Sequence, residues 1–199
     1  MITPHPPAEA AVEPQALHRA SPEASADAIL EAAIAILDQG QALLDGLIEP
    51  DYTHHIPIAF NASIGGHYRH CLDHFQSFLR GVDQNLLDYD ARDRDPDIET
   101  NLDKARHHTA TLRSAFQNLR SGILNRPIHV RSQVQYSHDA VPETGSTLGR
   151  ELVYVIAHAI HHYALISVMA QLLAAPLPPH FGVAPSTLRH QSRTPTPEG

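Results

Sequence analysis

Three histidines, His158, His161 and His162, are set into the apolar stretch ELVYVIAHAIHHYALISVM at residues 151–169. His158 and His162 stand four residues apart, so on a helix they lie one turn apart on the same face. Neutral imidazole is a good ligand for divalent zinc, nickel, copper or iron, and two of them on adjacent turns form half of a metal site. A second stretch, SIGGHYRHCLDHF at residues 63–75, offers His67, His70 and His74 for the other half. Three histidine ligands leave a coordination position open, as catalytic zinc sites do, and an open Lewis acid lowers the pKa of water or a thiol.

Four helices are expected to position these groups. The first runs over residues 25–48, with Ile29, Ile36, Leu43 and Leu47 along one side, joined by Ala33 and Leu44. The second covers 61–88, where Ile64, Tyr68, Cys71, Phe75, Phe78 and Val82 follow the rhythm of a core-facing stripe. The third covers 97–121 and repeats that rhythm from Ile98 to Leu119. The fourth covers 146–174, with Ser146 or Thr147 as its N-cap. Between the last two, IHVRSQVQY at 128–136 alternates apolar and polar residues, which predicts a short extended segment. Four amphipathic helices and no run of strands predict an all-α bundle.

At about 100° per residue, Glu151, Val155, His158, His162, Leu165 and Met169 fall within a sector of about 80° on the fourth helix. His161 sits at the edge of that sector. Two imidazoles stacked on an apolar face are hard to satisfy by hydrogen bonding alone, which favours a ligand role over a packed core histidine. On the second helix His67 and His74 flank the apolar stripe and His70 lies further round. Periodicity there favours His67 or His74 and leaves the choice among the three open.

The pairing of SIGGHYRHCLDHF with AHAIHHYALI at 157–166 resembles the DinB-like (YfiT-like) superfamily of four-helix metal-binding proteins. The resemblance implies a metal set of His70, in its H-x-x-D context with Asp73, and the pair His158 and His162. The H-x-x-H at His67 and His70 is also similar to the helical domain of ergothioneine-pathway sulfoxide synthases. What the resemblance implies is a divalent metal such as zinc, nickel or iron, and a thiol-dependent transferase or isomerase, or a hydrolase. Its substrate would be a small molecule, with a low-molecular-weight thiol as partner. A non-catalytic metal-binding or stress-response bundle is the alternative, and a fourth protein ligand closing the site would mark it.

Smaller features have plainer readings. Glu151 suits a first-turn carboxylate, with a base or ligand-orienting role as the other possibility. Tyr163 is expected to pack or face a partner, and Cys71 to fill the core. Asp73 reads as a solvated carboxylate or an acceptor for a ligand imidazole. His108 flanks the third helix's stripe, and His54 and His55 precede the second helix. His5, His18, His138 and His190 look solvated.

The 199 residues suit one domain, with 1–23 as a flexible arm, 24–175 as the bundle and 176–199 as a Pro-rich, disordered tail. A net charge of −8 with 14 Lys plus Arg disfavours nucleic acid and anionic membrane surfaces. One cysteine and the absence of a secretory signal pattern at the start fit the cytoplasm. Residues 152–175 are apolar enough for a membrane span, but the embedded histidines favour a buried bundle helix. Ile156, Ile160 and Tyr163, opposite the ligand face, predict an apolar outer side that a second copy would cover in a two-fold homodimer.

Overall fold

The computed structural model describes residues 20–136 and 141–193. Its helices are α1 (Pro22–Gly46), α2 (Glu49–Thr53), α3 (Ile64–Gln84), α4 (Pro96–Thr100), α5 (Leu102–Gln117), α6 (Leu148–Leu172) and α7 (Pro185–Gln191). Three short strands join them: β1 (Leu86–Asp88), β2 (Pro127–Arg131) and β3 (Glu143–Thr147). The four long helices α1, α3, α5 and α6 form the expected bundle. The first 19 residues of the arm and residues 194–199 of the tail lie outside the described residues, as do His5, His18 and His138.

Capping fixes most helix starts. Ser21, Ser63, Asn101 and Thr147 each accept a hydrogen bond from the backbone N–H three residues on, at 3.2, 3.0, 2.9 and 3.2 Å. These bonds satisfy N–H groups that the helix itself leaves unpaired. Asn101 also overturns one expectation. Residues 97–121 were expected to form a single helix, yet Asn101 takes an extended conformation and caps α5, so the segment breaks in two. Likewise the second helix ends at Gln84, where Asn85 turns left-handed (φ 56°) and sends the chain into β1.

The sheet corrects the expectation of no run of strands. Its order is β1-β2-β3, with β1 parallel to β2 and β2 antiparallel to β3. In β2 the predicted alternation holds, with Ile128 and Val130 buried. Three residues in β1 are too few to show a period, and ETGST in β3 has no apolar position to alternate.

In α1 the buried stripe is Ala26, Leu30, Ala33, Leu37, Gly40 and Leu44, with Leu43 beside it, while Ile29 and Ile36 are only partly buried. Gly40 sets this rotation. A Cβ there would stand 2.3 Å from the Tyr163 hydroxyl and 2.4 Å from that of Tyr68. Those two rings stack with centroids 6.1 Å apart. Tyr163 donates to the Ile36 carbonyl at 3.2 Å, and Tyr68 lies 3.0 Å from the Thr109 hydroxyl.

Among the described residues only α6 is long and apolar enough to cross a membrane. Its inner stripe, Leu148, Leu152, Val155, Ala159, Tyr163 and Ile166, is buried in the bundle. The expected inward Leu165 and outward Tyr163 exchange places: Leu165 is exposed and Tyr163 is fully buried. The Pro-rich segment is tied to the bundle at its start. Phe181 is buried and stacks on Tyr163 at 4.5 Å, and the Ser167 hydroxyl reaches the Phe181 carbonyl at 3.0 Å.

Candidate metal centre

Helices α3 and α6 pack side by side and bring their histidines together. His70 Nε2 lies 2.8 Å from His158 Nε2, and His67 Nδ1 lies 2.9 Å from His162 Nδ1. The His74 ring, one turn after His70, sits 4.1 Å from that of His158. His162 completes the group, with its ring 4.5 Å from His70 and 4.6 Å from His158. All three candidates on α3 therefore meet the pair on α6. His161 is exposed and only edges His162.

One nitrogen from each of His70, His74 and His158 lies within 4.8 Å of the others, a span that could hold a metal ion. Ligand nitrogens about 2.0–2.1 Å from a tetrahedral ion stand about 3.3 Å apart, so this span can accept one with small rotations. His74 Nδ1 is buried without a hydrogen-bond partner, and in the Nε2–H tautomer its lone pair would be satisfied by ligation. The donor set fits a borderline divalent ion such as zinc, nickel or iron. His162, expected as a ligand with His70 and His158, borders both rings while its Nδ1 faces His67.

Burial keeps these imidazoles neutral. It is the largest cause in every case, and neighbouring histidines and Arg92 add to it. His70 is pushed down to about 2, His74 to about 3 and His162 to about 4, and His67 and His158 are also lowered. Neutral imidazole is the form that binds metals, so the cluster is deprotonated and ready at physiological pH.

Arg92 was not visible as a site residue in the sequence. Its Nη1 lies against His70 Nδ1 and 3.3 Å from His74 Nε2. It comes from the turn after β1, where local bonds hold the chain. Asp88 Oδ1 accepts from Asp90 N and Ala91 N at 2.9 and 3.0 Å, and Asp90 Oδ2 accepts from Gln133 N at 2.6 Å. Arg80 pairs with Asp93 at 2.7 Å. The run DARDRD has charge but no motif, and only these tertiary ties aim Arg92 inward.

Two clefts flank the cluster. One of about 330 Å³ opens on His67, His70 and His162, with His55, Arg69 and Glu99 on its walls. The other, about 400 Å³, is lined by Tyr89, Ser146, Arg150, Glu151 and Tyr154. Tyr154 stands 5.7 Å from the His158 ring and Tyr89 stands 5.2 Å from that of His74, so two aromatic rings border this side of the imidazoles. Glu151 is buried and accepts from Tyr89 Oη at 2.9 Å, Ser146 Oγ at 2.6 Å and Arg150 at 3.3 Å. It ties the sheet to α6.

Asp73 is neither solvated nor on an imidazole: it is buried and pairs with Arg69 at 2.6 Å. His108 lines a separate cleft beside Asp73, and His54 is exposed. Cys71 is buried, and that burial pushes its thiol well above the usual range.

Comparison with known proteins adds three findings. Residues 36–166 match the family model described as the DinB superfamily. A protein described as FK506-binding protein 5, from Rhizopus delemar, is 34% identical over 105 residues, covering 53% of this chain and 27% of that protein. The chain thus spans about a quarter of that relative's length. No solved structure gives a significant match.

Proposed function

Since the chain belongs to the DinB superfamily, we propose that it is a divalent-metal-dependent enzyme of the thiol-dependent transferase, isomerase or hydrolase kind, acting on a small molecule. The observation that carries this reading is the convergence of imidazoles from two separate segments, with His70 Nε2 2.8 Å from His158 Nε2. His70, His158 and His162 are the proposed ligands. They would hold a divalent ion whose Lewis acidity would lower the pKa of a thiol or water at the site.

The chain's own residues do the rest. Burial holds the imidazoles in the neutral form at working pH. The cleft beside His67 and His162 admits a small molecule to the imidazole edges. Tyr89 and Tyr154 screen the opposite side. The buried carboxylate of Glu151, with its three donors, fixes Tyr89 in that position.

A second reading, a non-catalytic metal-binding bundle, is favoured by His74. It is 4% exposed, and its ring lies 4.1 Å from that of His158. As a fourth ligand beside His162 it would close the coordination shell, as in structural sites.

Elemental analysis of protein purified without a polyhistidine tag tests the metal reading. One equivalent of a divalent metal is expected, lost in His158→Ala and His70→Ala and retained in His161→Ala. Wild-type protein that holds no metal under any loading condition would end it. Turnover of a panel of electrophiles with small thiols then separates the two readings. Activity favours the enzyme, and inertness with full metal loading favours the binding protein.

A further inference from the structure

We propose that Arg92 is the anchor for a carboxylate on the small molecule this site takes, and that carboxylate and metal bind with positive coupling. The inference rests on the metal reading for its second half only.

Hydrogen-bond polarity is the starting point. A guanidinium only donates. With Nη1 of Arg92 against His70 Nδ1, a neutral His70 must carry its proton on Nε2. That N–H then points at His158 Nε2, 2.8 Å away. In this arrangement His70 Nε2 has no lone pair to offer a metal. Ligating histidines normally show the reverse, donating their second ring N–H to an acceptor. When His70 ligates through Nε2, its Nδ1–H faces the guanidinium donor to donor, and the guanidinium must leave.

Asp73 and Asp90 favour its charge only through space and make no ion pair with it. Arg92 forms no ion pair among the described residues, and its Nε is buried without a partner. The carboxylates nearby are taken: Asp73 by Arg69 at 2.6 Å, Asp93 by Arg80 at 2.7 Å, and Asp90 by Gln133 N at 2.6 Å. The Asp93 and Asp90 bonds pin the turn, so the displaced guanidinium stays within side-chain reach of the histidines. A half-buried, unpaired cation is costly. A divalent ion on neutral imidazoles adds charge of the same sign, and no carboxylate belongs to the cluster. A small anion bound between the two relieves both, and the planar guanidinium fork matches a carboxylate. Because the carboxylate draws Arg92 off His70, it frees the ligand nitrogen. Linkage then makes each partner raise the affinity of the other.

Zinc affinity, measured by competition with a chromophoric chelator, tests the coupling in wild type and Arg92→Gln. Sodium acetate is the probe, acetamide the neutral comparator, and ionic strength is held constant. Acetate is expected to tighten zinc binding to wild type by roughly fivefold or more, and acetamide to leave it unchanged. Arg92→Gln should bind zinc more tightly than wild type without acetate and respond to neither additive. A metal-free arm follows the ring nitrogens of His70 by NMR. The Nε2–H tautomer is expected in wild type, with acetate shifting its signals there and not in Arg92→Gln. An equal acetate effect in both proteins means direct binding to the ion and overturns the proposal, as does silence in both arms. If zinc binds to neither protein while acetate still moves His70 in wild type alone, the carboxylate anchor stands and the metal reading falls.

Discussion

Each buried imidazole carries a cost that shows on acidification. His70, His74 and His162 titrate at about 2, 3 and 4 in the folded chain, chiefly through burial, against about 6.5 when unfolded. The unfolded chain therefore takes up protons first as pH falls. Stability is full above about pH 6.5 and declines as the pH falls toward the folded values. Urea midpoints for metal-free protein should drop between pH 7.5 and 5.0, and His74→Asn should show a shallower drop. A pH-independent midpoint would contradict the burial of these rings. At this scale the sequence was informative where helical spacing applies. The four-residue step from His158 to His162 and the three-residue step from His67 to His70 put chemistry on facing turns. Arg92 was hidden because a turn residue has no period, and its direction depends on Asp88, Asp90 and Asp93 finding partners.

Among the elements, α6 begins and ends where its sequence says, because Thr147 caps it and an apolar stripe runs its length. Thr147→Ala should cost about 1 kcal/mol in thermal or chemical unfolding. Gly40→Ala in α1 should cost more, about 1–3 kcal/mol, because the methyl group meets two buried tyrosine hydroxyls. A melting temperature unchanged by Gly40→Ala would mean that α1 does not sit this close to α3 and α6. The rotation of α1 about Gly40 was not legible, since Ile29 and Ile36 look as apolar as Leu30 and Leu37. Only the tyrosines on other helices select which face turns in. The sheet was half legible for a similar reason: Ile128 and Val130 alternate by themselves, but β1 and β3 exist through their pairing with β2.

For the molecule as a whole, the outer face of α6 is the feature still seeking a neighbour. Val153, Leu165, Val168 and Leu172 are exposed there, and these, rather than the buried Tyr163, are the apolar residues a second copy would cover. Light scattering at micromolar concentration should give a dimer, and Val168→Glu combined with Leu172→Glu should give a monomer. A wild-type monomer would count against the interface. The Pro-rich stretch carries its own lesson. Proline content reads as a loose end, yet Phe181 lies flat on Tyr163, the ring that also stacks on Tyr68 next to His67. Proteolytic removal of everything beyond residue 175 would bare that ring to solvent. The trimmed chain should light up an environment-sensitive dye and lose its histidine cluster at lower temperature than a chain trimmed only after residue 193.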